Sequence, residues 1–131
     1  MICNWVNDVH EFHEASALHE APTRPTIPGR ERRELCEDLI VEEYDELFRA
    51  IENDDLVEMA DAAADLIYVV IWTCIEYGIP LDKVWPEVQR TNMAKIDATT
   101  GKVERKPNGK IAKPEGWTPP NIHKIIHEAS Q

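Results

Sequence analysis

The chain has 131 residues, and 25 aspartates and glutamates against 14 lysines and arginines give it a net charge of −11 at pH 7. This length predicts one domain, and the negative charge argues against a nucleic-acid-binding protein, which needs a basic face. The negative charge does not exclude phosphorylated substrates, because Mg²⁺ can reverse the local sign of the charge.

Three further features predict a cytosolic protein that does not act at a membrane. The N-terminal stretch MICNWVNDVHEF lacks the basic start and the apolar run of a signal peptide. The apolar run Leu66–Ile75 is too short to cross a bilayer. Cys3, Cys36 and Cys74 are odd in number and form no CxxC pair, which favours reduced thiols.

The first half of the chain predicts two long helices after a shorter one. Residues 4–20 read as an amphipathic helix, with Trp5, Val9 and Phe12 at helical spacing. Residues 21–30 hold three prolines and a glycine and are predicted to form a loop, either a plain connector or a lid. A second helix should run from residue 30 or 31 to 51.

The third helix is predicted from residue 56 to about 77, with Asp54 or Asp55 as its N-cap. The break before it is short, so the second and third helices should pack antiparallel. Its second half is apolar on nearly all sides, which predicts burial against a partner subunit in a homodimer or homotetramer. Gly78 should end this helix.

The last part of the sequence predicts a fourth helix from residue 81 to about 96, followed by a C-terminal arm from about residue 97 to 131. Pro86 should leave a kink or a ragged first turn in that helix. Asn108-Gly109 signals a turn, so we expect a small ribbon or an ordered arm, and a short helix at 122–128. The predicted fold is all-α, a four- to five-helix bundle built on an antiparallel acidic helix pair.

Carboxylates interrupt the apolar rows of the second and third helices. The six residues are Glu42, Glu43, Glu46, Glu58, Asp61 and Asp65. Counting from the break at ~1.5 Å per residue places Glu46 level with Asp61, and Glu42 level with Asp65. Unpaired buried carboxylates are costly, so acids that meet across a helix pair indicate a divalent-metal site. All-oxygen ligands suit Mg²⁺ or Mn²⁺ rather than zinc, although a solvated acidic face is the alternative.

The pattern Glu42-Glu43-x-x-Glu46 followed by Glu58-x-x-Asp61 resembles the signature of the MazG-like all-α nucleoside triphosphate pyrophosphohydrolases. The segment at residues 91–95 fits the same group, and the similarity runs from about residue 8 to 121. The resemblance implies that Glu43, Glu46, Glu58 and Asp61 bind the metal. Glu42, turned ~100° around the helix, is then the candidate base for the attacking water.

The substrate-binding candidates are less specific, and each has a structural alternative. Asp65 could hold a further ion or a sugar hydroxyl, and Tyr68 could donate to the ligand or be a core tyrosine. Asn92 and Lys95 lie on one helical face and are interpreted as phosphate contacts, with surface polarity as the alternative. The remaining candidates are Arg90 and Arg105 for phosphate, and Trp5, Phe12 and His13 as walls of a base slot.

Two smaller groups of residues receive structural interpretations. His123 and His127 are four residues apart and could bind a metal, but the sequence offers no third ligand. Cys36 and Cys74 sit on apolar stripes and read as core thiols.

These observations favour a Mg²⁺-dependent enzyme that splits a nucleoside triphosphate into the monophosphate and pyrophosphate. Its expected role is nucleotide-pool cleaning, with dUTP or another non-standard nucleotide as substrate. Two alternatives remain open. One is a phosphoribosyl-ATP pyrophosphohydrolase-like enzyme, and the other is a non-catalytic helical module that binds metal.

Overall fold

The computed structural model describes the backbone of residues 2–131 and the side chains from Trp5 onward. Over that range it contains five helices and no β-strand, and 61% of the chain is helical, which confirms the predicted all-α class. The helices are α1 (Ile2–Ser16), α2 (Arg30–Glu52), α3 (Leu56–Glu76), α4 (Leu81–Met93) and α5 (Ile122–Ala129). No single helix in the described part is long and apolar enough to span a membrane, and α3 with α4 would do so only as a pair bent by 119°.

The centre of the fold is the predicted antiparallel hairpin of α2 and α3, which form the closest helix pair. Its turn is built by Asp54, which adopts a left-handed backbone conformation (φ 52°), and by Asp55. The Asp55 carboxylate accepts the Glu58 N–H at 3.1 Å, so Asp55 is the N-cap of α3. Small buried residues, Ala50 on α2 and Ala62 on α3, allow the two helices to approach closely near this turn.

Helix α1 covers the other side of α3 with a row that differs from the predicted one. Val6 and Val9 pack with Ile71 and Ile75 of α3 to form the buried core cluster. Since this row continues to His13, the predicted row through Trp5 and Phe12 lies at its edge, and both side chains are 54% exposed. Of the row predicted from the sequence, only Val9 is therefore buried in the chain on its own.

A buried polar network joins α1, α2 and α3 at the C-terminal end of α3. His13, which is 1% exposed, places its Nε2 2.7 Å from Oε1 of Glu76. Nε of Arg32 donates to Oε2 of the same carboxylate at 2.6 Å. Because a carboxylate only accepts hydrogen bonds, both partners donate, and Glu76 ties three helices together.

The loop between α1 and α2 is fastened to the C-terminal end of α3. The Thr26 N–H donates to the Tyr77 carbonyl at 2.9 Å. Gly78 has φ +64° and ends α3 as predicted, and a Cβ at this position would collide with the Arg24 carbonyl. This attachment lies twelve residues beyond Asp65, about 18 Å along the helix. The contacts favour the connector interpretation of this loop over the lid.

Helix α4 ends three residues earlier than predicted and is followed by an ordered arm. The helix continues through Pro86, which lies inside it. The arm is held by two isolated antiparallel bridges, between Ile96 and Val103 and between Arg105 and Ile111. The predicted turn is present, since the Lys106 N–H donates to the Lys110 carbonyl at 2.7 Å around Gly109 (φ +83°). The arm is thus ordered but forms no β-ribbon within residues 97–121.

The arm returns to the bundle through Glu87, and this contact predicts an acid-sensitive attachment of α5. The Glu87 carboxylate accepts from Arg90 at 2.6 Å and from the Asn121 N–H at 3.0 Å. These two bonds, of which the bond with Arg90 has the larger effect, lower the pKa of Glu87 from 4.5 to about 2. The stabilisation of the folded state by the ionised Glu87 carboxylate is complete above pH 4.5 and is lost as the pH falls towards 2. We expect hydrogen-exchange protection of α5 to fall over that range.

A neutral-pH variant checks the same contact. Glu87→Gln should lower the protection of α5 amides at pH 7. Glu128→Gln is the matched control, because Glu128 only forms an exposed pair with Lys124 at 3.9 Å. Equal protection in the two variants would show that Glu87 does not attach α5.

Candidate functional site

Three carboxylates converge between α2 and α3. Glu43 and Glu46 lie three residues apart on one face of α2, and Asp65 faces them from α3. One oxygen of each lies within 4.8 Å of one oxygen of the other two, and all three side chains are half-buried. The packing of the two acid-bearing helices thus brings together three of the six carboxylates that the sequence pattern singles out.

The electrostatics of this cluster favour a bound cation. Oε2 of Glu43 is buried and has no hydrogen-bond partner in the described structure. Burial and then the negative charges of Glu46 and Asp65 raise the pKa of Glu43 above its ordinary value. A divalent cation would satisfy the unpaired oxygen and offset the repulsion. Oxygen ligands alone fit a hard ion of the Mg²⁺ type.

The pairing of acids across the hairpin differs from the expected register. Asp65 meets Glu43 and Glu46, whereas the count from the break placed it level with Glu42. Glu43 follows Glu42 directly, so the two heights differ by only ~1.5 Å. The difference is that Glu43, and not Glu42, faces Asp65. Glu42 is exposed and adjacent to the cluster, and its role as base stays a prediction.

The other two predicted ligands, Glu58 and Asp61, do not join this cluster. Both side chains are exposed on the N-terminal half of α3. Glu58 and Glu46 line a cavity of about 300 Å³ towards the α2–α3 turn. The cluster thus opens into a groove that carries two more carboxylates, those of Glu58 and of the capping Asp55. The roles of Glu58 and Asp61 as ligands stay predictions.

Arg49 is a residue of this groove that sequence reasoning missed. It lines the same cavity as Glu46 and Glu58. Its spacing of three from Glu46 puts it on the same face of α2, and that spacing is the signal that could have found it. A guanidinium beside the acid cluster is suited to contact phosphate oxygens.

A second cavity, of about 310 Å³, lies between α1 and α3. Its walls are mainly apolar, and it is lined by Trp5, Asp8, Val9, Ala64, Ile67, Tyr68 and Ile71. Phe12 stands beside it, with its ring edge-on to Tyr68 at a centroid distance of 6.0 Å. Ala64 precedes Asp65 directly, so this slot begins one residue from the acid cluster, around the side of α3.

His13 does not line this slot, contrary to the expectation from the sequence. Its buried ring is bound to Glu76 and lies 4.4 Å from the Trp72 ring. His13 follows Phe12 directly in the sequence, but its side chain points inward from α1 towards the C-terminal end of α3. Its position makes it a structural residue of the three-helix network.

Asn92 and Lys95 share a face as predicted, at the C-terminal end of α4. Nζ of Lys95 donates to Oδ1 of Asn92 at 3.0 Å and lies 5.2 Å from the centroid of the Trp117 ring. Throughout residues 2–131, no hydrogen bond or ion pair links them to the acid cluster. Of the weaker candidates, Arg90 is paired with Glu87, and Arg105 donates to the Gly109 carbonyl at 2.8 Å.

The histidine pair and the cysteines agree with their structural interpretations. His123 and His127 stack with ring centroids 6.3 Å apart, and the described side chains bring no third ligand to them. Cys36 is buried, Cys74 is half-buried and both are free. Burial raises the pKa of each thiol. The side chain of Cys3 lies outside the described residues.

Comparison with protein-family models gives a match over most of the helical body. A family model described as phosphoribosyl-ATP pyrophosphohydrolase matches residues 9–92, which is well over half of the chain. The matched segment includes the acid cluster, its groove and the α3 side of the α1–α3 slot, whereas Trp5 and Asp8 of that slot precede it. It ends before the C-terminal arm. No curated protein matches the chain at a significant level.

Proposed function

The chain belongs to the phosphoribosyl-ATP pyrophosphohydrolase family, part of the MazG-like all-α superfamily, and from this membership we propose a Mg²⁺-dependent nucleoside triphosphate pyrophosphohydrolase. The reaction releases pyrophosphate and leaves the nucleoside monophosphate. The observation that carries the proposal is the convergence of Glu43, Glu46 and Asp65 inside the matched segment. Such an enzyme would remove non-standard nucleotides, of which dUTP is one.

The residues in and around the cluster would have different roles in this reaction. Glu43, Glu46 and Asp65 would hold the cation, with Glu58 and Asp61 as ligands at the open side. When bound, the ion supplies positive charge against the phosphate oxygens and makes water more acidic. Glu42, exposed beside the cluster, would accept a proton from the attacking water.

Arg49 would contact the phosphates from the groove. It is the only basic residue among those that line this cavity. A phosphate bound there would lie beside Glu46, which explains why a cation is needed before a polyanion can approach the carboxylates.

The slot between α1 and α3 would hold the nucleobase. It is apolar, it is bordered by the aromatic rings of Trp5 and Tyr68, and it begins one residue from Asp65. Asp8 is its one charged wall residue and can accept a hydrogen bond from an amino or imino group of a base.

Hydrolysis of phosphoribosyl-ATP is the second candidate, and the description of the matching family favours it. The same α–β phosphate bond would be broken, so the acid cluster serves both substrates. The added phosphoribosyl group, however, carries a phosphate next to the base, and the slot offers Asp8 but no cation there. We therefore rank a simple nucleoside triphosphate first.

A substrate panel tests the proposal. Purified protein with Mg²⁺ is offered the common and non-standard (deoxy)nucleoside triphosphates and phosphoribosyl-ATP, and pyrophosphate and monophosphate are both quantified. We expect equimolar pyrophosphate and monophosphate from at least one simple triphosphate. Turnover of phosphoribosyl-ATP alone would select the second candidate. No turnover of any nucleotide would leave a metal-binding helical module.

We also propose that the protein is a homodimer, because α2 carries an apolar stripe that its own chain leaves uncovered. The stripe follows helical spacing, and its members are between 49% and 56% exposed. They are Val41, Tyr44, Phe48 and Ile51. Phe48→Asp should shift the protein to monomers in sedimentation equilibrium, whereas Arg49→Asp, its neighbour off the stripe, should not. A wild-type monomer at micromolar concentration would contradict the dimer.

A further inference from the structure

The charge of the chain is divided sharply between the helical body and the C-terminal part. Residues 90–131 contain eight lysines and arginines against four aspartates and glutamates, a net charge of +4, whereas residues 1–89 carry −15. Nearly all of this basic part lies beyond residue 92, where the family match ends. The proposed function assigns nothing to the arm after Lys95.

Trp117 anchors this arm to the end of α4. Its indole Nε1 donates to the Thr91 carbonyl at 2.7 Å, and Thr91 is 2% exposed. The ring is half-buried and forms part of the wall of a cavity of about 500 Å³ between the arm and α4. Trp117 is thus a fixed aromatic platform beside Asn92, with open space next to it.

Two lysines converge on this platform from different parts of the chain. Nζ of Lys95 lies 5.2 Å from the ring centroid and Nζ of Lys113 lies 5.0 Å from it, both within cation–π range. The two ammonium groups are therefore at most about 10 Å apart. Lys95 is held further by Oδ1 of Asn92 at 3.0 Å. Lys95 is thus held by two contacts, and the exposed Lys113 is directed to the same ring by one.

Among the side chains from Trp5 onward, neither lysine has a carboxylate partner. The ion pairs of the described residues involve other basic groups, and none includes Lys95 or Lys113. The charged residues that line the neighbouring cavity are Arg90, Asp97 and Glu115, and neither lysine lines it. The Asp97 carboxylate accepts the N–H groups of Thr99 and Thr100. Two like charges held within about 10 Å of each other without a counter-ion among the described side chains, in a chain with an excess of acids, indicate a site for a mobile anion.

We propose that Lys95 and Lys113, held on Trp117, form a binding site for the phosphate groups of pyrophosphate, either free or as part of a nucleoside triphosphate. A polyphosphate with charge-assisted hydrogen bonds of about 2.8 Å at each end can span the gap between the two ammonium groups. A small anion suits the site better than a nucleic acid, because the net charge of −11 repels a long polyanion. Only the nucleotide-bound case rests on the proposed function.

Calorimetric titration of inorganic pyrophosphate into the full-length protein, without nucleotide or Mg²⁺, tests the site. We expect Lys113→Ala to weaken binding about tenfold, since one charge-assisted contact is lost. Lys113→Arg should retain most of the affinity. Lys110→Ala is the matched control, because it removes the same charge from the same arm but Lys110 makes only main-chain contacts.

The kinetics of the nucleotide substrate then separate the two sources of the phosphate. If Lys113→Ala also raises KM with kcat unchanged, the site binds the phosphates of the nucleotide. If KM does not change while pyrophosphate binding weakens, the site binds free pyrophosphate. No pyrophosphate binding by the wild type, or equal affinities in Lys113→Ala and Lys110→Ala, would overturn the proposal. The titration remains informative even if no nucleotide is hydrolysed.

Discussion

Glu43→Gln is expected to lower pyrophosphate release from the preferred nucleotide by at least about 100-fold, because a cation that supplies several kcal/mol of charge stabilisation loses its central ligand. The same change should raise the stability of the metal-free protein. Burial and the charges of Glu46 and Asp65 raise the pKa of Glu43, so its ionised form is unfavourable there. A neutral amide removes that repulsion and can donate to either neighbouring carboxylate.

The two effects are measured separately, by steady-state pyrophosphate release with Mg²⁺ and by urea unfolding in EDTA. Asp45→Asn is the control, because Asp45 is an exposed acid on the same helix, outside the cluster. It should leave both quantities near those of the wild type. Wild-type turnover by Glu43→Gln would refute the assignment of the site. A lower urea midpoint for Glu43→Gln would show that Glu43 is a structural residue instead.

Glu76→Ala is expected to lower the free energy of unfolding by about 3–5 kcal/mol, the typical cost of removing one partner of a buried ion pair. Its carboxylate accepts from His13 on α1 at 2.7 Å and from Arg32 on α2 at 2.6 Å. Without it the buried imidazole and the guanidinium lose their common acceptor. This loss is large against a total stability of about 5–15 kcal/mol for a natural domain.

Urea unfolding at neutral pH gives this value, and Glu34→Ala supplies the comparison. Glu34 pairs only with Arg30, and the two side chains are 54% and 83% exposed, so its loss should cost less than about 1 kcal/mol. If Glu76→Ala costs no more than Glu34→Ala, the three-helix network contributes little to the fold.

The structural features that could be predicted from the sequence are those that local chemistry and periodicity determine together. The proline-rich loop, Asp55 as a cap, Gly78 as a stop signal and the α2–α3 hairpin all follow from residues close in the chain. The acids of that hairpin could be placed near one another because they interrupt apolar rows. The cluster was therefore predictable in kind.

The sequence could not supply what depends on contacts between distant segments. Whether Phe12 or His13 turns inward on α1 is decided by Glu76, 63 residues away from His13, and no local pattern joins those two. The count along the helices placed Asp65 level with Glu42, but it could not show that the neighbouring Glu43 is the residue that faces Asp65. Likewise, the convergence of Lys95 and Lys113 on Trp117 depends on how the arm returns to α4.

Titration of Mn²⁺ into the metal-free protein, followed by electron paramagnetic resonance at pH 7, addresses the carboxylate cluster most directly. We expect wild-type protein and Asp45→Asn to bind Mn²⁺ with equal affinity, and Asp65→Asn to bind at least about tenfold more weakly, since a charged ligand is replaced by a neutral one. Equal affinity in all three proteins, or no binding by the wild type, would contradict a metal centre between α2 and α3.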